Sequence, residues 1–386
     1  MTQKLTAPNL STLDDFVKDL EEIKKEAYAS ISSEDFYHLR RTEIYGHLAA
    51  LLGYATAWIA PNPISIIGIS LAQFTRWLLA HHILHKGYDK VPNIPDRYTS
   101  RHFARGMRRF IDWFDWLHPD AWDYEHNTLH HYYTGEDTDP DLVERNVQPM
   151  MASLPIPRWL KYVVVILLSL TWKYTYYAPS TISTLKPHSV KRLPVGQINF
   201  LSLQDCFSLG SAHARRLWLE CYLPYAVVHF CLIPLLFWPL GWWAVISVLI
   251  NKILAECLTN LHAYIVVLPN HTADDIYRFD FHYQGKGQFY ITQILGSVNY
   301  DCGDELTDYL HLYLNYQIEH HLIPDLPMSG YRRIQPQVKA LCERYGIPYR
   351  QQNVFLRVKK MLDICVGTTH MTRAATFSEV ECRLTH

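Results

Sequence analysis

The sequence lacks the cysteine patterns of disulfide-bonded and cysteine-ligated proteins. Its eight cysteines are scattered over 386 residues, with no Cys-x-x-Cys pair and no ferredoxin-like cluster. Disulfides persist in oxidising compartments, so scattered, unpaired cysteines indicate a reducing one. The first residues show no basic segment followed by an apolar one, and we therefore expect no cleavable signal peptide.

An excess of charge of one sign is also missing. The 36 Lys and Arg residues balance 37 Asp and Glu residues, which leaves a net charge of −1 at pH 7. A balanced chain has no bulk field that attracts nucleic acid, so no nucleic-acid partner is expected. Aromatic residues, by contrast, are plentiful, with 11 Trp and 26 Tyr. Such rings are enriched at membrane–water interfaces.

Several catalytic and cofactor motifs are absent as well. There is no His-Glu-x-x-His motif, and its inverted form would need histidine in place of Tyr316, so the zinc-protease geometries fail. Soluble di-iron bundles carry two Glu-x-x-His motifs, and none is found. The sequence also has no glycine-rich nucleotide fingerprint and no haem-binding His-Pro-Gly-Gly motif. Electrons for any redox chemistry must therefore come from a separate protein.

The sequence does contain three histidine boxes, each beyond an apolar or aromatic stretch. They read His81-x-x-x-His85, His126-x-x-x-His130-His131 and Gln317-x-x-His320-His321. Neutral imidazole is the commonest transition-metal ligand. Seven histidines are too many for one four-coordinate zinc, and they fit two octahedral metals that share one pocket. Spacing of i, i+4 on a helix puts each pair of rings on one face.

Four apolar runs predict two hairpins, over residues 44–60, 62–80, 217–239 and 241–268. The first two are short of the ~20 residues of a typical span, so a buried hairpin in a soluble protein is the alternative. Neither turn carries Lys or Arg, whereas residues 86–109 carry seven. By the positive-inside rule, the side that follows the first hairpin faces the cytosol.

Residues 159–178 are apolar but interrupted by Lys161 and Lys173. If this segment crossed the membrane, the third box would face the opposite side from the first two, and the boxes could not share a metal site. We therefore expect the segment to lie in the membrane interface. The last predicted span contains Lys252 and Glu256, which are functional candidates at that depth, although a mutually neutralising structural pair is equally compatible.

The boxes resemble those of the membrane fatty-acyl desaturase superfamily, whose third box often reads Gln-x-x-His-His. The stretch over residues 287–300 and the run from Pro324 to Pro327 resemble the bacterial acyl desaturases in particular. The resemblance covers about residues 40–350. It implies an all-α integral membrane protein with four transmembrane helices and a cytosolic helical cap that holds a di-iron site. It also implies location in a bacterial inner membrane, with the termini and the active site cytosolic.

The resemblance implies one more metal histidine at the cytosolic end of the last span. His271, within Asn270-His271, matches that pattern better than His262 does. Asp137, Asp139 and Asp141 could orient ligating histidines through their second ring nitrogens, or form a solvated acidic loop. Gln317 could ligate through its carbonyl oxygen, hydrogen-bond a metal-bound water, or only pack at the pocket wall.

The predicted ligand set is therefore eight histidines and Gln317, with no catalytic residue separate from it. These residues are His81, His85, His126, His130, His131, His271, Gln317, His320 and His321. Residues 1–40 are expected to form two cytosolic helices, and Ser11 or Thr12 caps the first. Residues 351–386 are expected to form a cytosolic tail, and its last twenty or so residues show no pattern. Residues 41–350 form the membrane domain between them.

The main functional hypothesis is an oxygen-dependent desaturase with two iron ions. Unactivated C–H bonds resist acid–base attack, so side chains alone cannot break them. The expected partners are an acyl-lipid or acyl-thioester substrate, O2, membrane lipid and a separate electron donor, either a ferredoxin or a cytochrome with its reductase. A hydroxylase or ketolase of the same superfamily would use the same boxes. A scaffold or lipid-binding protein would have no use for them.

Overall fold

The computed structural model describes residues 10–202, 204–208 and 210–385, without the side chains of residues 10–12 and 385. Most of this chain is helical. The α-helices are α1 Leu10–Ala29, α2 Ser33–Ala57, α3 Pro63–Leu84, α4 Arg109–Asp112, α5 Pro119–Tyr124, α6 His131–Tyr133, α7 Val143–Ser153, α8 Arg158–Ser169, α9 Ala178–Ile182, α10 Ala212–Arg216, α11 Leu223–Ala226, α12 Ile233–Leu235, α13 Trp242–Val267, α14 Gly285–Leu295, α15 Glu305–His311, α16 Gln317–Leu322, α17 Met328–Arg344, α18 Val354–Cys365 and α19 Phe377–Thr385. Four π-helical segments interrupt or extend them, at Glu125–His130, Lys173–Tyr177, Leu217–Tyr222 and Val227–Leu232.

Three helices of the described chain are long and apolar enough to cross a membrane. They are Pro63–Leu84, Ala212–Leu240 and Trp242–Asn270. The predicted span over residues 44–60 does not form a separate helix. It is the C-terminal part of α2, which runs unbroken from a capping box at Ser32 and Asp35 and so also contains the charged residues before position 44. For that reason α2 as a whole is less apolar than the other three.

The first hairpin is held together by glycines at the contact between α2 and α3. A Cβ atom on Gly68 would lie 2.6 Å from the carbonyl oxygen of Ala49, and one on Gly53 would lie 2.9 Å from the backbone nitrogen of Ile69. Small residues of this kind let two helix backbones approach closely within a bilayer. The close approach fixes α3, the helix that carries the first histidine box.

Helix α13 packs along α3 through polar contacts between their backbones and side chains. Thr259 donates to the Ser70 hydroxyl at 3.1 Å, and the Asn251 side chain accepts from the backbone nitrogen of Asn62 at 2.9 Å. The helix Ala212–Leu240 is different, because only 11% of its most apolar window is buried. The segment predicted to lie in the interface forms α8 and the π-helical turn that follows, and neither is long enough to qualify as a span.

The basic face of α17 forms ion pairs with other parts of the chain. Arg333 pairs with Asp35 at 2.7 Å and Arg344 pairs with Asp19 of α1 at 2.9 Å. Arg332 lies 3.2 Å from Glu305. Most of that face therefore binds other parts of the same chain. Ser11 and Thr12, the predicted caps of α1, have side chains outside the described part, as do residues 1–9 of the N-terminal unit.

The all-α prediction misses one short element. Strands β1 (Tyr277–Phe279) and β2 (Thr372–Ala374) pair in parallel, with Tyr277 opposite Thr372 and Phe279 opposite Ala374. Three-residue strands have no periodicity to detect, and nearly a hundred residues separate these two. The C-terminal segment without a sequence pattern is thus packed: α18 buries Met361, β2 pairs with β1, and α19 follows.

Candidate metal centre

The structure brings all eight predicted histidines into one pocket at the C-terminal ends of α3 and α13. The histidines form two groups, and within each group the ring nitrogens that could bind a metal lie within 4.8 Å of one another. The four-histidine group consists of His81, His85, His126 and His320, and the three-histidine group consists of His130, His271 and His321. His131 lies between them, with its ring centroid 4.5 Å from that of His85 and 4.2 Å from that of His321.

The first box lies at the last turn of α3, where i, i+4 spacing points two rings into the pocket as predicted. His81 Nε2 is 3.1 Å from His320 Nε2, and the His85 ring lies 4.7 Å from the His320 ring. His82 points elsewhere, with Nε2 bonded to the carbonyl oxygen of Leu312 at 2.8 Å. Its exclusion from the predicted ligand set agrees with this geometry.

The first two histidines of the second box lie on the π-helical segment Glu125–His130, which continues from α5, and His131 begins α6. A π-helical turn is wider than an α-helical one and is frequent at functional sites. Here it turns both following histidines toward His126: the His130 ring stacks 5.2 Å away and the His131 ring lies edge-on at 5.1 Å. One short segment thereby supplies histidines to both the four-histidine group and the three-histidine group. The sequence indicated that these histidines share one face of a helix, but it did not indicate that the helix widens into a π-helical turn.

The third box lies on α16, a six-residue helix that is buried throughout. The chain enters it through Leu312 and Tyr313, both in the left-handed region at φ 42° and 64°. This reversal is anchored by Asp308, whose carboxylate accepts from Asn315 Nδ2 at 2.8 Å and from the Tyr316 hydroxyl at 2.9 Å. The anchored turn aims His320 at one group and His321 at the other.

The structure separates the two candidates at the end of the last span. His271 Nδ1 donates to the Gly296 carbonyl oxygen at 2.8 Å, which leaves Nε2 facing His130 and His321. His262 instead bonds the Leu310 carbonyl oxygen through Nε2 and stacks on Phe74 at 3.8 Å. The geometry brings His271 into the cluster and leaves His262 outside it.

Every ring of the three-histidine group has an oxygen atom on Nδ1. His130 faces Asp139 Oδ1 at 3.0 Å, His271 faces Gly296, and His321 faces Gln293 Oε1 at 2.8 Å. In the other group, His320 Nδ1 lies 3.0 Å from the Tyr331 hydroxyl. A partner on Nδ1 fixes the tautomer and leaves Nε2 free to bind a metal.

The acidic run divides between the pocket and the surface. Asp139 is buried, and its second oxygen accepts from the backbone nitrogen of Gly135 at 2.9 Å. Gly135 has φ +78°, and a Cβ there would lie 2.9 Å from the Tyr277 carbonyl oxygen. Asp141 Oδ2 is 3.9 Å from His130 Nδ1, whereas Asp137 is exposed and pairs with Arg278 at 2.7 Å. The structure thus brings two of the three carboxylates toward a histidine.

Gln317 lies beside the three-histidine group. Its Nε2 is 2.8 Å from His271 Nε2, and its Oε1 accepts from Asn270 Nδ2 at 3.1 Å. The side chain therefore reaches the atom through which His271 would bind a metal. This position is compatible with ligation, with a hydrogen bond to a metal-bound water or with packing at the pocket wall.

Burial and neighbouring charge set the protonation of the rings. Burial, with the neighbouring rings, lowers the pKa of His126, His131, His320 and His321 well below 6.5, and that of His271 to about 3. For His130 burial acts in the same direction, but the Asp139 and Asp141 carboxylates outweigh it and raise the pKa. Neutral imidazoles with free lone pairs are the form that binds transition metals.

The unpartnered ring nitrogens show that the pocket fits a metal. Within the described chain, His85 Nε2, both nitrogens of His126 and of His131, and His321 Nε2 are buried without a hydrogen-bond partner. A buried polar atom without a partner is costly, and so many in one place are explained by a ligand they share. All-imidazole donors with few carboxylates suit iron, copper, nickel or zinc.

Comparison with known proteins identifies the family. The family model described as fatty acid desaturase matches residues 56–353, which includes all three boxes and His271. The chain belongs to the fatty acid desaturase family. It is therefore an enzyme that acts as a fatty acid desaturase, and its histidine boxes are those that the sequence resemblance indicated.

Similar desaturases come from bacteria, mammals and plants. The NADPH-dependent stearoyl-CoA 9-desaturase of Mycobacterium tuberculosis is 24% identical over 354 residues, which cover 87% of this chain and 75% of that protein. Fatty acid desaturase 3 of Bos taurus is 52% identical over 42 residues, 11% of this chain and 10% of that one. Delta(8)-fatty-acid desaturase 1 of Arabidopsis thaliana is 31% identical over 86 residues, 22% of this chain and 18% of that one. No solved structure matches.

Several residues of this desaturase pocket escaped the sequence analysis. Trp122 stacks on the His126 ring at 4.7 Å and donates from Nε1 to the Tyr177 hydroxyl at 2.9 Å. Gln293 and Tyr331 hold two of the rings. Gln293 lies within the stretch of residues 287–300 that resembles bacterial desaturases, so that likeness was the available signal. Nothing in the sequence marked Tyr331.

Proposed function

We propose that this desaturase inserts a double bond into the acyl chain of a lipid or an acyl thioester, using two irons and O2. The observation that carries the proposal is the paired grouping of eight histidines, seven of them buried, with four and three around a shared His131. Two groups with ligand atoms this close match two metals in one pocket. In the overall reaction, one O2 takes two hydrogens from the chain and two electrons and two protons from outside, and leaves as two waters.

Two bound irons would supply the reduction of O2 that lets hydrogens leave an unactivated chain. The four-histidine group with His131 would hold one iron, and the three-histidine group with Gln317 nearby would hold the other. Asp139, Gln293 and Tyr331 would keep Nε2 of their histidines pointed at the metals. The chain's own contribution is thus a set of histidine donors held together in a buried pocket.

The acyl chain is proposed to approach the four-histidine group, because the apolar wall lies on that side. Trp122 covers His126, and Trp113 packs edge-on against Trp122 at 5.6 Å. Tyr177 and Trp77 extend the same wall, with ring centroids 6.5 Å apart. Rings of this kind exclude water and hold one C–C bond against the metals.

We also propose four spans, with the termini and the pocket on the cytosolic side of the membrane. The fourth would be the C-terminal half of α2, where Ile44, Leu48, Leu51 and Leu52 are large, apolar and exposed. Such a row of apolar side chains supports contact with lipid. In a background without the native cysteines, cysteines at positions 63 and 239 should be labelled from outside, and those at 137 and 303 only from inside. External labelling at 303 would contradict the topology.

The electron donor is proposed to be a separate ferredoxin or cytochrome with its reductase. The mycobacterial relative is described as NADPH-dependent, and this chain has no nucleotide fingerprint of its own. A test is reconstitution of turnover with NADPH, a reductase and either carrier. We expect no turnover with NADPH and the purified chain alone.

The alternative is a di-iron hydroxylase or ketolase that acts on a lipid. Removal of one hydrogen followed by addition of oxygen would need the same metals and the same histidines. The family match favours desaturation. A product analysis separates the two outcomes, since a double bond lowers the mass of the acyl chain by two hydrogens and hydroxylation adds one oxygen.

The deciding experiment measures iron and products in the same preparation. We expect about two irons per chain and a product with a new double bond, formed only with O2 and electrons. A single zinc per chain, with activity that survives iron chelation, would overturn the di-iron proposal. Zinc that replaces iron in an overexpressed sample is compatible with it only if activity follows the iron content.

A further inference from the structure

Arg357 of α18 is a charged side chain that the fold buries completely, with no exposed surface. Its Nη1 atom donates to Asp275 Oδ1 at 2.6 Å and to Gln352 Oε1 at 3.1 Å. Within the described chain, its Nε and Nη2 atoms are buried and have no hydrogen-bond partner. More than half of the N–H groups of this guanidinium are therefore unsatisfied.

The two unpartnered nitrogens lie on the same edge of the guanidinium group. The N–H of Nε and one N–H of Nη2 point in the same direction, and this fork is the part of an arginine that binds anions through two parallel hydrogen bonds. An arginine in a protein cannot lose its proton, so the charge stays in the interior. A buried charge is costly unless it is paired and hydrogen-bonded. The edge best suited to an anion is thus the edge for which the chain supplies no acceptor.

The carboxylate that faces Arg357 neutralises it only in part, because other cations share it. Asp275 is partly exposed and also lies 2.8 Å from Lys360 Nζ, which has a second carboxylate, Asp274, at 3.0 Å. Arg350 is near as well, and its Nη1 is buried without a partner in the described chain. Burial lowers the pKa of Arg350, and Asp275 opposes this while the charge of Arg357 adds to it. One carboxylate therefore acts on three cations.

The Tyr300 hydroxyl is another unsatisfied donor in this region. Its side chain is fully buried, and within the described residues the hydroxyl has no hydrogen-bond partner. Burial raises the pKa of Tyr300 well above 10, and the positive charge of Arg357 acts against that rise. A buried hydroxyl, like a buried guanidinium edge, needs an acceptor. Unsatisfied donors from separate parts of the sequence thus lie near one another in the interior.

We propose that one chloride ion binds between the Nε/Nη2 edge of Arg357 and the Tyr300 hydroxyl. Chloride accepts several hydrogen bonds at a single atom and supplies negative charge where one carboxylate is shared. A phosphate would bury more oxygens than the unsatisfied donors can serve, and a second charge with them. A larger ligand has no access, because Arg357 has no exposed surface. The site is independent of the irons and of the reaction proposed above.

The chloride would join α18 to segments that support the histidine pocket. Asp275, the partner of Arg357, follows His271 closely in the sequence. The backbone nitrogen of Tyr300 donates to the carbonyl oxygen of Asn315 at 3.1 Å, directly before the third box. An ion that binds only the folded chain stabilises it by mass action. We therefore expect chloride to stabilise this side of the protein and to take no part in desaturation.

The test is anomalous X-ray diffraction from crystals of the full chain purified with bromide in place of chloride. We expect a bromide peak at hydrogen-bonding distance from Arg357 Nε, Arg357 Nη2 and the Tyr300 hydroxyl oxygen. Chlorine scatters anomalously at long wavelength, so a chloride retained in the buried site is detected in the same crystal. Density there without either signal would identify water and overturn the proposal. Halide peaks at exposed side chains only would be adventitious and would overturn it as well.

Thermal unfolding of variants measures the contribution of each donor. Replacing chloride with gluconate at equal ionic strength should lower the unfolding midpoint of the unmodified chain by about 2–4 °C. Arg357→Met should abolish this difference. Tyr300→Phe keeps the packing and removes one donor, so it should weaken the apparent chloride affinity about tenfold.

Arg101→Met and Tyr37→Phe, at exposed positions, are the matched controls and should keep the full chloride effect. The Tyr300→Phe variant decides the matter if Arg357→Met does not fold. An unchanged chloride effect in folded Tyr300→Phe, or no chloride effect in the unmodified chain, would refute the assignment.

Discussion

The two histidine groups are held in place by different means. In the three-histidine group every Nδ1 meets an oxygen atom, from Asp139, Gly296 or Gln293. In the four-histidine group of the described chain, only His320 has an oxygen partner, the Tyr331 hydroxyl. Its other rings are packed against one another and against Trp122. One group is fixed by hydrogen bonds and the other by aromatic packing.

This difference favours different roles for the two proposed metals. A ring with a fixed tautomer and a carboxylate behind it is a stronger and more rigid donor. A ring held by packing alone keeps some freedom to turn. We expect the three-histidine group to bind its metal more tightly and the four-histidine group, beside the aromatic wall, to adapt during turnover.

The largest expected effect is the loss of a ring from either group. His320→Ala and His321→Ala should each reduce desaturation by more than about 100-fold and lower the iron content, because each removes a donor from a different group. Elemental analysis and product assay of the same samples measure both. His262→Gln is the control, since glutamine can still donate to Leu310, and it should keep its iron. Full iron in either alanine variant would contradict the grouping.

Gln317→Ala comes next. It removes the amide beside His271 Nε2, so we expect activity to fall nearly to background while the fold is retained. Gln317→His should keep the iron, with activity reduced and not fully restored. Circular dichroism checks the fold, and iron content and turnover report on the site. Near-normal turnover and iron in Gln317→Ala would mean that the third box consists of its two histidines only.

Asp139→Asn tests the hydrogen-bonded group directly. Loss of the carboxylate behind His130 should weaken metal binding there by about 10–100-fold and leave the four-histidine group less affected. A chelator titration that resolves two iron-release steps measures this. Asp137→Asn is the matched control, because Asp137 is exposed and pairs with Arg278. If both variants release iron alike, Asp139 does not orient the ring.

The smallest expected effect is a pH dependence of the metal-free protein. Burial lowers the pKa of His271 to about 3, whereas an unfolded chain would titrate near 6.5. Between these two pKa values, His271 is protonated only in the unfolded chain. The contribution of the neutral His271 ring to stability is therefore lost as the pH falls below about 6.5. His130 has the opposite effect because its pKa is raised in the folded chain. Its contribution to stability is present below about pH 6.5 and is lost as the pH rises through the raised pKa.

Chemical unfolding of the metal-free protein from about pH 7.5 to pH 5 measures the balance. Of the pocket rings outside the spans, five have lowered pKa values and only His130 has a raised one, so these rings reduce stability as the pH falls. Burial raises the pKa of the Asp141 and Glu319 carboxyls, and these two groups act in the opposite direction. Asp139→Asn removes the cause of the His130 shift and should make the fall steeper. The same pH dependence in Asp139→Asn as in the unmodified chain would contradict this electrostatic account.

The grouping of the histidines was largely predictable from the sequence because the boxes are local and repeated. Spacing of i, i+4 placed His81 with His85 and His126 with His130, and the resemblance favoured His271 over His262. The partners behind the rings were not predictable. Gln293 and Tyr331 reach their histidines from other helices, across 28 and 11 residues of sequence. Such contacts depend on how helices pack, which no local pattern records.

The fold was predictable where apolar runs are long, and the prediction failed where elements are short. Three predicted spans appear with boundaries shifted by a few residues, while residues 44–60 merged with a charged segment into α2. The strand pair joins residues 277–279 to residues 372–374 and left no periodic signal. The histidines of the second box have the same sequence spacing on a π-helical turn as they would have on an α-helix, so the sequence does not distinguish the two.

The strand pair has a consequence for the order in which the site is completed during synthesis. The backbone nitrogen of Phe279 in β1 donates to the carbonyl oxygen of Gly135, at the start of the loop that carries Asp139. Strand β2 binds the other side of β1 and is translated after every histidine of the pocket. The ribosome thus delivers all eight donors to the membrane before the last support of Asp139 exists. We therefore expect the three-histidine group to be held less firmly before the chain is released than after it.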